Sequence, residues 1–277
     1  MNTKELQEYY IKCARGMEYA YEAMKRHFDT DNSIEELLRL RGYISGGEQE
    51  DFFSEMQICE CRIDDVDELG PMALELGLLS VSGTSKFFLL NDRFIIPVRD
   101  IQNNIVAFIG YYPDYKKYIT TPSPFFSKEC LFFNMGDAYR RSYSEYDGMV
   151  ILVEGIFDCL SLASIGLPAI ATMGSDVSRM KGELLKVFKK VIYVPDNDRV
   201  GRRALNRKDK TKGWKVPNTA IGVRLKGQVT MQDADGNDVV LKVKDTDDLV
   251  SWFDADSLVE TFTSIAKEKK QYVTLEV

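Results

Sequence analysis

Two stretches of this 277-residue chain run from apolar residues straight into carboxylates: 151-ILVEGIFD-158 and 191-VIYVPDND-198. The first presents Glu154 and Asp158, the second Asp196 and Asp198. A third acidic group, 244-KDTDDLV-250, follows another extended run and offers Asp245 and Asp247. An Asp-x-Asp on extended backbone turns both carboxylates to one side, so each pair can face a single ion. Asp158 lies four residues after Glu154, in the first turn of a following helix, and can reach the same space. Carboxylates crowded in this way repel one another unless a cation neutralises them, and an all-oxygen donor set selects Mg²⁺ or Mn²⁺. Metal-assisted phosphoryl chemistry is the natural use of such a site. For a single Asp-x-Asp the alternative is a loop capping its own helix.

The elements around these acids must bring them together. From Met149 the pattern alternates: strand MVILVE, helix FDCLSLASIG, strand AIATM, helix SRMKGELLKVFKK, strand VIYVP, helix RVGRRALNRK. That order predicts a parallel sheet covered by helices, in which ligands sit beyond the C-terminal strand ends, where Glu154, Asp196 and Asp198 fall. Upstream, residues 5–41 read as two helices broken at 29-DTDNS-33, and 66-VDELGPMALELGLL-79 as a helical turn, a Gly-Pro break and another helix. FIIPV and NIVAFIGYY read as a hairpin, and 114–133 as an irregular stretch. A hairpin over 226–244 turns at Asp235-Gly236, and a last helix lies near 255–269. The fold class expected is α/β: an α+β N-terminal subdomain (1–148), a parallel-sheet catalytic domain (149–250) and a C-terminal helical tail (251–277).

Composition narrows the chemistry. One histidine, His27, leaves little room for a histidine base or a multi-histidine metal site. The five cysteines are scattered and odd in number, which fits reduced thiols, and Cys59-x-Cys61 lacks a partner pair at zinc-finger spacing. No apolar run reaches the ~20 residues of a membrane span and the N-terminus is polar, so a cytoplasmic protein is expected. A net charge of −7 argues against binding nucleic acid by general positive charge. The bases are concentrated instead, from Arg199 to Lys215 behind the Asp196/Asp198 pair and at Lys116, Lys117 and Lys128.

Taken in order, VEGIFD, ATMGS, VPDNDRVGRRA and KDTDDL resemble the Toprim domain of bacterial DnaG-type primases. Upstream, RFIIPVRDIQNNIVAFIGYY and KKYITTPSPFFSKECLFF resemble the N-terminal part of the same family's RNA polymerase core. The resemblance implies that Glu154, Asp158, Asp196, Asp198, Asp245 and Asp247 hold Mg²⁺ or Mn²⁺, with Glu154, Asp196 and Asp198 catalytic. It implies that Arg93, Lys117, Tyr118, Lys128, Arg202 and Arg203 handle template and nucleotide. The activity implied is synthesis of short RNA primers from ribonucleoside triphosphates on single-stranded DNA, in a bacterial or phage-infected cell, for phage or mobile-element replication. A Toprim-type nuclease and a non-catalytic single-stranded-DNA-binding accessory protein are the competing uses of the same residues. The family's zinc-binding and helicase-docking modules have no counterpart here, so a zinc-binding protein or replicative helicase is expected in trans. Gly110-Tyr111-Tyr112 stands where the family carries Gly-Gly-Arg.

Overall fold

Asn2 starts the first helix with a reciprocal cap. Its side chain accepts from the Glu5 N–H at 3.0 Å, and the Glu5 carboxylate accepts from the Asn2 N–H at 2.7 Å. In this computed structural model, residues 1–29, 37, 52, 58, 60–115, 117–174, 177–205, 220–232 and 238–276 are described, and they form two units, Met1–Ser127 and Lys128–Val277.

In the first unit, α1 (Thr3–Lys25) buries Cys13, Met17, Ala20, Tyr21 and Met24 along one stripe, as the 3.6-residue period requires. A five-stranded antiparallel sheet lies in the order β1 (Phe28–Asp29), β2 (Glu60–Cys61), β5 (Arg93–Arg99), β6 (Ile105–Tyr112) and β7 (Lys117–Thr120). A separate hairpin joins β3 (Leu79–Ser82) to β4 (Ser85–Phe88). Ile95, Ile105 and Phe108 from the sheet pack with Met17, Tyr21 and Met24 of α1 in one core. The β5–β6 hairpin expected from sequence is present. β7 lies within the stretch read as irregular, because Lys117–Thr120 finds backbone partners on the open edge of β6. Residues 71–77 form turns where a helix was expected, since Gly70 and Gly77 both take positive φ. Of the helix expected over 33–43, Leu37 alone is among the described residues, and it is helical and buried.

The second unit opens with α2 (Met135–Glu145), then alternates: β8 (Met149–Val153), α3 (Ile156–Ser164), β9 (Ala169–Ala171), α4 (Arg179–Leu184), β10 (Lys190–Tyr193), α5 (Arg199–Ala204) and β11 (Ile221–Lys226). After the hairpin of β12 (Gln228–Gln232) and β13 (Asp238–Lys242) come α6 (Thr246–Trp252), α7 (Ala255–Lys267) and β14 (Tyr272–Glu276). The sheet order is β14-β11-β10-β8-β9, with every pair parallel. β8 is buried along its whole length, as a central parallel strand must be.

Two expectations change here. The unit boundary falls after Ser127 instead of 148, because α2 packs on β8 and β9 while Phe133 exchanges backbone hydrogen bonds with Ala171. The C-terminal tail is not all helix: YVTLE alternates in and out, and pairs with β11 as the fifth strand. The turn of the β12–β13 hairpin lies outside the described residues.

Phe262 of α7 is fully buried and the helix packs against β10. Phe262→Ala is expected to cost about 3–5 kcal/mol in urea unfolding, whereas Glu260→Ala on the same helix stays within ~0.5 kcal/mol. Equal effects would show that α7 is not packed on the sheet.

Candidate functional site

The chain leaves β8 for β9 on one side, then crosses to β10 on the other, so strand order reverses between β8 and β10. In open parallel sheets the crevice at that reversal is where ligands bind. Glu154 follows the last residue of β8, and Asp196 lies three residues after β10, so both acids stand at the switch point.

The Asp196 backbone and the Tyr193 side chain lie on the side of Glu154 that favours its charge, yet its Oε1 is buried without a hydrogen-bond partner. Burial, then the charges of Asp196 and Asp198, raises its pKa from 4.5 to about 7. Asp158, in the first turn of α3, is 8% exposed; its Oδ1 accepts from Thr246 Oγ1 and from the Asp247 N–H, both at 3.2 Å. Burial and the neighbouring Asp245, Asp247 and Asp196 push its carboxyl up. Asp196 is raised as well, by burial first and Asp245 next. These shifts record carboxylates held within reach of one another against their repulsion.

The backbone enforces the crowding. A Cβ at Gly155 would run into Asp158 Oδ2, and one at Gly201 into the Asp196 carbonyl oxygen, so both positions admit only glycine without movement. Asn197 stitches two acidic loops: its N–H donates to Lys244 O at 2.6 Å, and its Nδ2 donates to Val243 O at 3.0 Å.

The sequence-derived set splits. By charge all six acids interact, Glu154 with Asp196 and Asp198, and Asp158 with Asp196, Asp245 and Asp247; by local geometry they part. Asp198 is exposed and caps α5, accepting from the Val200 and Gly201 N–H groups at 2.7 Å each, so it does not alternate beside Asp196 on extended backbone. Asp245 and Asp247 do not share an extended strand either. Asp245 caps α6 by accepting from the Asp248 N–H at 3.0 Å, and Asp247, already helical, accepts from the buried Ser161 hydroxyl. Capping satisfies otherwise orphaned N–H groups, and that preference bends both Asp-x-Asp motifs. Among the described residues, no three acids converge on one ligating point. The donor chemistry nevertheless suits a hard cation, and the orphaned Glu154 oxygen is an open acceptor for one.

Two residues escaped the sequence reading. Asp248 joins the cluster with its pKa raised by burial and Asp245, while its Oδ2 accepts from the Lys244 N–H at 2.7 Å. Lys244 Nζ lies 3.4 Å from Asp245 Oδ2; burial works against its charge, but Asp245 and Asp196 outweigh it and raise its pKa. Asp248 follows Asp247 directly in KDTDD, where spacing favoured the alternate acids.

In the first unit, Arg93 lies 5.4 Å over the Tyr112 ring, Tyr112 stacks on Tyr115 at 5.2 Å, and Lys117 Nζ lies 5.8 Å over Tyr115. Tyr118 is half exposed and packs against Tyr111 at 5.0 Å. Arg93, Lys117 and Tyr118 are therefore gathered at one end of β5, β6 and β7, joined by Tyr112 and Tyr115. Lys128 is exposed at the start of the second unit and Arg202 on α5; the Arg203 side chain lies outside the described residues.

Residues 151–240 match a family model described as Toprim-like. This segment is similar to Toprim domains. A DNA primase of Pseudomonas putida is 32% identical over 138 residues, 47% of this chain and 21% of that protein. The chain spans about a fifth to a quarter of the length of the curated relatives it matches. The RNA polymerase domain of Mycobacterium tuberculosis primase DnaG matches with a TM-score of 0.69 at 17% identity, covering 90% of this chain and 82% of that one. A DnaG primase catalytic domain solved bound to single-stranded DNA matches at 0.60 and 20% identity, covering 91% and 80%. The fold is that of the DnaG-type primase core. Among the described residues no helix is long and apolar enough to cross a membrane.

The raised carboxyls tie stability to pH. Folded Glu154 keeps its proton to about 7, the unfolded chain only to about 4.5, so the stabilisation is complete below the lower value and lost as pH rises through the upper one. In EDTA, Tm is expected to fall between about pH 5 and about pH 8, and Glu154→Gln and Asp158→Asn should each flatten the decline. A wild-type Tm that rises across this range, or variants with its slope, would contradict the crowding.

Proposed function

We propose that this chain is the RNA polymerase core of a DNA primase, joining ribonucleoside triphosphates into short RNA on a single-stranded DNA template. The observation that carries the reading is the acidic cluster at the switch point, with the unpartnered buried oxygen of Glu154 within it. The relatives named as DNA primases, and the catalytic domain of the same fold bound to single-stranded DNA, support it.

Mg²⁺ or Mn²⁺ is the cofactor this donor chemistry suits, and its ligands would be drawn from Glu154, Asp158, Asp196, Asp198, Asp245 and Asp247. When bound, a pair of such ions supplies Lewis acidity toward a 3′-hydroxyl and charge neutralisation for departing pyrophosphate. The chain's residues supply the placement. Glu154, whose carboxyl titrates in the neutral range, can ligate or accept a proton. Asn197 holds the Asp196 loop against the Lys244–Asp245 loop. Arg93 and Lys117 offer charge to phosphates, while Tyr112, Tyr115 and Tyr118 offer ring faces to unpaired bases. Lys128, Arg202 and Arg203 add further phosphate contacts. The proposal extends to a replicative helicase or zinc-binding protein as partner and to a phage or mobile-element source, both resting on the resemblance.

Single-stranded templates with labelled ribonucleotides and either Mg²⁺ or Mn²⁺ should yield new oligoribonucleotides. Glu154→Gln and Asp196→Asn should each reduce them by about 100-fold or more while retaining the fold. Template degradation in place of synthesis would identify a Toprim-type nuclease, and binding without either product an accessory protein. Either result overturns the proposal.

A further inference from the structure

Away from the acids, β11 and β14 carry a second polar surface. Their register pairs Gly222 with Tyr272, Arg224 with Thr274 and Lys226 with Glu276, which puts these residues on one face. The end of α5 meets that face: the Tyr272 hydroxyl donates to Leu205 O at 2.8 Å. Between them lies a cavity of about 250 Å³ lined by Arg202, Leu205, Arg224, Tyr272, Val273 and Thr274.

Two guanidinium groups line this cavity, and among the described residues neither is paired with a carboxylate. Lys226, two residues further along the same strand, is paired, 2.9 Å from Glu276. Two unneutralised cations on one small cavity repel each other, and an anion between them removes that cost. Guanidinium forks match the oxygen geometry of phosphate in particular. The position is also specified relative to the acids. Arg202 Nη1 donates to Asn197 O at 3.0 Å, the residue between Asp196 and Asp198. Tyr193 at the end of β10 pairs with Gly222, so Arg224 lies beyond that ladder at the C-terminal end of the sheet, the end that bears the acids.

We infer that Arg202 and Arg224 form a phosphate-binding subsite beside the acidic cluster. The cavity and its unpaired arginines point to the anion; that its source is nucleic acid or nucleotide rests on the polymerase reading. Two sources share the chemistry: a backbone phosphate of the bound strand, or the phosphates of an incoming ribonucleotide.

The test measures binding of a fluorescein-labelled oligothymidylate of about a dozen nucleotides, of ATP, and of inorganic tripolyphosphate to the full chain. Wild type is compared with Arg224→Ala, Arg224→Lys and Arg202→Ala, each checked by circular dichroism melting. If the phosphate belongs to the strand, both alanine variants weaken oligonucleotide binding about 5- to 10-fold and lower its salt slope by about one, with Arg224→Lys retaining the slope. If it belongs to the nucleotide, the same loss appears for ATP and the oligonucleotide is unaffected. A chain that makes no RNA but loses tripolyphosphate affinity on Arg224→Ala would remove the polymerase reading and leave the subsite standing. Folded variants that bind all three probes as wild type does would overturn the subsite.

Discussion

Repulsion among acids gathered at the C-terminal ends of the paired strands β8 and β10 is the constraint on which the second unit depends. Glu154, Asp158 and Asp196 all hold their protons more tightly than ordinary carboxylic acids do, because burial and neighbouring acids disfavour their charged forms. A fold tolerates that cost only where backbone leaves the side chains nowhere else to go. Gly155 and Gly201 allow contacts that any side chain would break, and Asn197 binds two acidic loops by main-chain and side-chain bonds together. Lys244 is a partial internal remedy, a cation drawn to Asp245 and Asp196. It leaves the Glu154 oxygen unanswered.

The first unit works by the opposite balance. Its chemistry is cationic and aromatic: Arg93 and Lys117 bracket the stacked Tyr112 and Tyr115, on strands whose other residues form an apolar core against α1. Such a surface suits unpaired bases and phosphates without reading sequence. The Tyr111–Tyr112 pair, which replaces the resembled family's Gly-Arg, thus puts a ring beneath Arg93 where an arginine was expected.

Much of this was legible in the sequence because apolar runs followed by acids have a small set of structural uses. Alternating strand and helix patterns from Met149 foretold the parallel sheet, and the order of VEGIFD, VPDND and KDTDD foretold the neighbourhood of Glu154, Asp158, Asp196 and Asp245. What stayed hidden depended on competition that spacing does not reveal. Asp198 and Asp245 satisfy helix N-termini, which removes them from the extended geometry their spacing suggested. Asp248 gained its place from that same turn. β14 followed a strong helix and was read as its continuation, although its edge pairing with β11 completes the sheet. Tyr112 and Tyr115 mattered only once the register of β6 and β7 set them beside Arg93 and Lys117.

The central claim is that the crowded acids exist to hold a divalent cation. Mn²⁺ binding followed by electron paramagnetic resonance, on the full chain without nucleotide or nucleic acid, tests it most directly. The account predicts saturable binding that weakens at least about 10-fold in both Glu154→Gln and Asp245→Asn, with Mn²⁺ raising the Tm of wild type more than that of either variant. A wild-type chain that binds no Mn²⁺, or variants that bind it as tightly, would contradict the account.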